Sequence, residues 1–253
     1  MKKTSVFIPF IAAFAALLSS CVFNDNGVNV VSLSSKGFDD APSSKVTLNE
    51  FSTIENNTPL SVDYCHSEEF SVVILGDTSK MECLQAKVNN GKLKLELEPG
   101  VYNDLWLKVL VYAPSISSIH QNGSGKISCD SIIARESRFE VVANGSGDVN
   151  IQGLGCKDVS MNINGSGSIE AKKVMAHAAK LSINGSGSIL FPDLQIEENL
   201  DANINGSGDI RVDGIAPKVK ANINGSGSIT GNLKHEDLES SKMGSGNIDL
   251  KEN

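Results

Sequence analysis

The chain has 253 residues, with 22 Lys and Arg against 30 Asp and Glu, for a net charge of −8. Nucleic-acid binding calls for a basic face, and base stacking calls for aromatic platforms. An acidic balance and an aromatic content of 5% argue against both, and the length suits one elongated domain or two small ones.

Residues 1–20 read as a secretory signal peptide. Lys2 and Lys3 form a charged start, and Val6–Leu18 is an apolar run of 13 residues. That run is too short to cross a bilayer as a helix. It closes on Leu18-Ser19-Ser20-Cys21, which resembles the lipobox of bacterial lipoproteins. The resemblance implies cleavage before Cys21 and acyl chains, palmitate among them, on its sulfur and amine. More than one chain gives stable anchoring, so the membrane is an expected partner through Cys21. Residues 21–49 are rich in Ser, Asn, Asp and Gly and lack sustained periodicity, which reads as a lipidated Cys followed by a flexible tether.

Residues 50–114 carry alternating apolar positions: Leu60, Val62, Tyr64; Phe70, Val72, Ile74; Leu93, Leu95, Leu97; Leu105, Leu107, Val109, Val111. A period of two reads as strand with one buried face. Gly76-Asp77, Asn89-Asn90-Gly91 and Pro99-Gly100 mark the turns. This irregular all-β half is either a separate unit or the first turns of the repeat region beyond it, and in either case it covers one end of that region.

Residues 115–253 are dominated by a repeat. Asn-Gly-Ser-Gly begins at Asn122, Asn144, Asn164, Asn184, Asn205 and Asn224, and Met243 opens a seventh copy without the Asn. The starts are 22, 20, 20, 21, 19 and 19 residues apart. A fixed period near 20 marks a solenoid. Alternating runs lead into each corner, as at Leu200, Ala202 and Ile204. Two residues past the second Gly stands Ile127, Val149, Ile169, Ile189, Ile210, Ile229 or Ile248. The expected fold is a right-handed parallel β-helix of about seven Gly-Ser-Gly rungs. Glycine suits tight corners where backbones pass closely. Stacked in register, the six Asn side chains would hydrogen-bond along the stack, as Asn ladders do in cross-β structures. The column Lys180, Asp201, Lys220, Glu239 alternates in sign, as in-register stacking favours. Gln121 and the pair Ser240 and Lys242 stand where interior rungs have apolar residues, which reads as polar capping of the two ends.

The lipobox, the N-terminal pattern Phe51-Ser-Thr-Ile54, Leu93-Lys-Leu95 and Leu105-Trp-Leu107-Lys-Val109, and the serial Gly-Ser-Gly-x-Ile repeats together resemble the putative auto-transporter adhesin, head GIN domain family, over residues 48–250. The resemblance implies a β-helical fold, a cell-envelope location of outer-membrane lipoprotein type, and adhesion as the role. It brings no catalytic, cofactor or metal residues.

The residues themselves carry little chemistry. Cys129 and Cys156 fall at inward slots and read as buried thiols. Cys65 and Cys83 share the N-terminal half, and export permits a disulfide between them. His66, His120, His177 and His235 have no metal partner at strand spacing. Glycan-cleaving β-helices need carboxylates meeting over one groove. The column Ser128, Asn150, Glu170, Leu190, Arg211, Thr230, Asp249 brings no two acids onto adjacent rungs. The reading is therefore a lipid-anchored, non-catalytic solenoid without cofactor, binding a glycan or an envelope or host protein. Two alternatives are a periplasmic accessory or sensing lipoprotein and a polysaccharide-degrading enzyme.

Overall fold

The computed structural model describes residues 19–24 and 27–251, with side chains from Asn29 onward except at 135 and 136. Of the segment read as a signal peptide, residues 1–18 lie outside the described residues. The N-terminal strands are β1 (Ser19–Asn24), β2 (Gly27–Leu33), β3 (Ser43–Thr47), β4 (Thr53–Asn56), β5 (Ser61–His66), β6 (Ser71–Gly76), β7 (Leu84–Asn89), β8 (Lys92–Leu97), β9 (Val101–Leu105) and β10 (Leu107–Ala113). From β11 (Ser118–Gln121) and β12 (Lys126–Ala143) onward, the chain is a β-solenoid of about seven turns ending in the strands Asp237–Met243 and Asn247–Lys251.

Successive turns pair in parallel and in register. On the strand entering the corner, Ile183 stands over Ile204 and Ile204 over Ile223. On the strand leaving it, Ile189, Ile210, Ile229 and Ile248 form one column. On a third segment, Ile132, Leu154, Val174 and Leu194 form another. Every one of these side chains except that of Ile248 is at most 4% exposed, and Phe139 and Phe191 fill the interior between them. Burial of each such side chain is worth roughly 1.5–3 kcal/mol, which offsets the entropy of ordering a rung.

The corners are held by backbone contact. Gly206 has φ +137°, and a Cβ there would meet the carbonyl oxygen of Gly185 in the previous rung well inside van der Waals contact. Only glycine meets both constraints. Backbone donors reach back one rung all along the column, for example from Ser186 to Gly165, Ser207 to Gly185 and Ser226 to Gly206.

The stack begins earlier than its glycines. Strand β11 pairs in parallel with β4, and β12 with β5. Asn57-Thr58-Pro59-Leu60, between β4 and β5, is therefore a further corner beneath Asn122–Gly125. No Gly-Ser-Gly corner lies under it; β8 does, with the Asn57 N–H donating to the Leu95 carbonyl at 3.0 Å. Thr58 and Leu60 are fully buried there, and the Thr58 hydroxyl donates to Asn56 Oδ1 at 2.7 Å. The N-terminal half is thus the first rung of the solenoid plus an excursion from β6 to β10.

That excursion closes the end. Strand β8 pairs in parallel with β4 and antiparallel with β7, while β10 pairs in parallel with β5 and antiparallel with β6. β8 and β10 thus satisfy the first rung's edge in parallel, and their antiparallel partners β7 and β6 end the parallel stacking there. Gln121, expected as an end cap, is consequently interior and fully buried. Its amide donates to the Gly125 carbonyl at 2.6 Å, inside its own corner. Ser240 and Lys242, by contrast, are exposed on the last rung.

The expected tether is folded from Gly27 onward. Strand β2 pairs in parallel with β9, and β3 runs antiparallel to β6. Val31 is fully buried, and Asn29 bridges Leu97 O and Gly100 N at 3.4 and 2.8 Å. These partners lie about seventy residues downstream, beyond the reach of local pattern.

Candidate functional site

The corner asparagines form a ladder. Asn144 Nδ2 donates to Asn122 Oδ1 at 2.8 Å, Asn164 to Asn144 at 2.9 Å, Asn184 to Asn164 at 3.0 Å and Asn205 to Asn184 at 3.1 Å. Asn224 stands in backbone register with Asn205. A second amide contact, Asn222 to Asn203 at 2.9 Å, runs beside it. The ladder also reaches down to a residue outside the repeat: Asn122 donates to Asn57 at 2.8 Å.

All these amides point the same way, so their dipoles add and the donor end faces the capped end of the stack. There Asn57 Nδ2 donates to Glu55 at 3.1 Å and to Glu96 at 3.4 Å. Lys92 lies 2.9 Å from Glu55, and Lys94 lies 2.8 Å from Glu96. Carboxylates at the positive end of aligned amides are favoured for the same reason as acids at a helix N-terminus. Burial pushes Glu55 upward, but its hydrogen bonds to Lys92 and Asn57 and the charges of Lys92 and Lys94 outweigh this and hold it below the ordinary glutamate range. A depressed carboxyl contributes stability that is present above its unfolded pKa and lost as pH falls through the folded value. We therefore expect the melting temperature to fall below about pH 4, near the model-peptide glutamate value. Glu55→Gln should be less stable at pH 7 and should show a shallower acid limb in the same pH series.

Asn164→Ala removes one donor and one acceptor from the ladder. These bonds are solvent-exposed, so the expected cost is about 1 kcal/mol, read by chemical denaturation. Asn164→Asp, which keeps the acceptor for Asn184 but sets an acceptor against Asn144 Oδ1, should cost at least as much.

The acids nearest one another on this face, Glu55 and Glu96, share one amide and are each paired to a lysine. A glycan-cleaving pair needs one carboxyl raised to act as an acid, and Glu55 is shifted the other way. Burial, then the charge of Lys92, lowers the pKa of the neighbouring His120. Among the described residues, no group of three His, Cys, Asp or Glu side chains is placed to hold a metal ion.

Cys65, Cys83, Cys129 and Cys156 are unbonded, so the possible Cys65–Cys83 disulfide is not formed. The two residues sit in different surroundings. Cys65 lies on β5 near Asp63 and Asp130, whereas Cys83 lies in a 3-10 turn, Met81–Cys83, against Tyr102 and Glu98. Burial raises both thiols, and it pushes Cys156 up to about 11. The backbone of Cys21 lies in β1.

The third face of the solenoid carries a feature that the repeat pattern does not show. Its outward positions align as Ile133, Gly155, Met175, Gln195, Ile215 and Lys234. Ile133 is 70% exposed, Met175 51% and Ile215 48%. Met175 and Ile215 line a groove of about 600 Å³, with Cys156, Ala176 and Ile196 in its floor and Lys157, His177 and Glu197 along one side, and Ile133 continues the column beyond it. His177 Nδ1 lies 3.7 Å from Glu198. Large apolar side chains in line on a solvent face mark a contact surface, unlike the same residues scattered singly. No Phe, Tyr or Trp ring lines the groove.

A parallel solenoid with a capped first rung, an amide ladder along one corner and an apolar column on its third face defines a surface-presenting repeat protein. The chain belongs to the family described as "Putative auto-transporter adhesin, head GIN domain", which matches residues 50–230 and 172–253. Three solved structures share the fold. A putative adhesin from Bacteroides fragilis is 22% identical with a TM-score of 0.72, covering 84% of this chain and 97% of the other. A putative lipid binding protein from Parabacteroides distasonis is 20% identical with a TM-score of 0.63, covering 85% and 98%. A putative adhesin from Parabacteroides merdae is 17% identical with a TM-score of 0.63, covering 87% and 99%. No curated protein matches the chain.

Proposed function

We propose that this chain is a lipid-anchored, non-catalytic adhesin of the bacterial outer membrane, and that the third-face groove is where it contacts a protein partner. The observation that carries this reading is the apolar column Ile133, Met175, Ile215 on an otherwise polar solenoid. Family membership and its adhesin-type relatives support the adhesive role. The Leu18-Ser19-Ser20-Cys21 sequence supports the anchor. A protein partner fits better than a glycan, because sugar faces are commonly held against Trp, Tyr or Phe rings and none of these lines the groove.

The test is binding of the lipid-free domain to fractionated envelope and host surface proteins, with a glycan array in parallel. Saturable binding to a protein is expected, weakened at least tenfold by Met175→Asp/Ile215→Asp with the melting temperature unchanged. Binding that is confined to glycans, or that ignores the double substitution, contradicts the reading. A periplasmic accessory module remains the alternative for an anchored protein facing inward.

A further inference from the structure

The small sheet β1-β2-β9 stands apart from the solenoid at its capped end. Its backbone register places Cys21 opposite Val30, and Val30 opposite Val101. Val30 is 40% exposed and Val101 69%, and Leu33, at the end of β2, is 44% exposed. Apart from the third-face column, this is the only place among the described residues where several large apolar side chains are exposed on one small element.

We infer that this sheet lies on the phospholipid bilayer, with the exposed Val30 and Val101 directed at the lipid and Cys21 paired with Val30 in backbone register. The inference rests on the lipid-anchor reading above and extends it from a point of attachment to an oriented surface. Cys21–Asn24, the part of β1 that remains after cleavage before Cys21, pairs with β2, and β2 is tied to β9. Acyl chains on Cys21 thus leave the protein one strand spacing, about 4.8 Å, from the exposed Val30. Among the described residues no unpaired segment separates Cys21 from the sheet, so a bilayer that takes up the acyl chains also meets the valine row.

A second observation lies at the same end. Trp106, the chain's single tryptophan, follows β9 and stacks on Phe38 with ring centroids 5.6 Å apart. Lys36 Nζ sits over its ring at 5.6 Å, and its indole N–H donates to Gly37 O. Tryptophan with a neighbouring lysine suits the level of the headgroups. The exposed Asp39, Asp40 and Asp104 nearby oppose deep insertion into an anionic surface. The acyl chains and the apolar row therefore dominate the contact, rather than charge. In this orientation the capped end faces the membrane, the last rung points away from it, and the third-face groove stands clear of the lipid.

The experiment uses full-length lipidated protein, in a Cys65→Ser/Cys83→Ser background, reconstituted in phosphatidylethanolamine and phosphatidylglycerol vesicles. A fluorophore is placed at Val101→Cys or, for comparison, at Met243→Cys. The label at 101 should be quenched by spin-labelled lipid and be at least fivefold less sensitive to aqueous iodide than the label at 243. Val30→Cys should behave as 101 does. Equal iodide sensitivity at 101 and 243, with acyl mass present on Cys21, overturns the inference and leaves the anchor reading standing. Absence of acyl mass on Cys21 overturns both.

Discussion

Ile204→Asp is expected to abolish the cooperative unfolding transition of the solenoid. Ile204 is 1% exposed and is flanked in register by Ile183 below and Ile223 above, themselves 0% and 2% exposed. A carboxylate there has no cation within the stack and cannot reach water without opening a rung. Burying an unpaired charge costs several kcal/mol, comparable with the whole stability of a domain. Each rung of a solenoid is stabilised mainly by its neighbours. Damage in the middle therefore removes support from both sides, and the remnant should melt broadly at lower temperature. Lys220→Glu is the matched control. Lys220 stands between Asp201 and Glu239, 3.3 Å from the latter, but is half exposed. The reversal should cost under about 1 kcal/mol. Circular-dichroism melts that ranked the two variants the other way would reverse the inside and outside of the rung.

Gly206→Ala carries the second large effect, through backbone rather than burial. The residue is held at φ +137°, and its missing Cβ is what allows the Gly185 carbonyl to approach. An alanine must leave that conformation or push the previous corner away. The corner cannot yield alone, because Gly185 is itself stacked on Gly165. The expected loss is at least about 2 kcal/mol, a fall of several degrees in melting temperature. Gly155→Ala gives the contrast. Nothing lies within 4 Å of a Cβ there, and its φ is ordinary. That substitution should stay within about 0.5 kcal/mol of wild type. If the two alanines cost the same, the corner glycines are not there for close approach.

The period, the corner chemistry and the side of each strand that is buried were all readable from residues 115–253, because they repeat. A glycine demanded by the rung below recurs whenever a rung lies below. The same logic explains what was missed. Asn57–Leu60 escapes recognition because no Gly-Ser-Gly corner lies beneath it, only the β8 strand of the excursion, and so it keeps Thr, Pro and Leu. Gln121, taken for an end, is interior because the stack continues into β4 across an excursion of dozens of residues. The strands within the expected tether pair with partners too distant for local pattern to show. The third-face groove was hidden for a different reason. The segments after each corner vary in length, and the register slips between Ala134 and Arg138, Ala176 and Ala178, and Phe191 and Leu194. Counting back from the glycines therefore does not align Ile133, Met175 and Ile215, which only the folded stack brings into line. The Cys65–Cys83 pairing rested on an even number of cysteines and on export, and neither places two sulfur atoms together.

An adhesive role requires the solenoid to be presented to the outside of the cell. The direct measurement is labelling of intact cells with a membrane-impermeant amine reagent, followed by mapping of the modified lysines. Lys180 and Lys220, exposed on the solenoid, should be labelled to the same extent in intact and lysed cells. Labelling that appears only after lysis would place the solenoid on the periplasmic side and contradict an adhesive role.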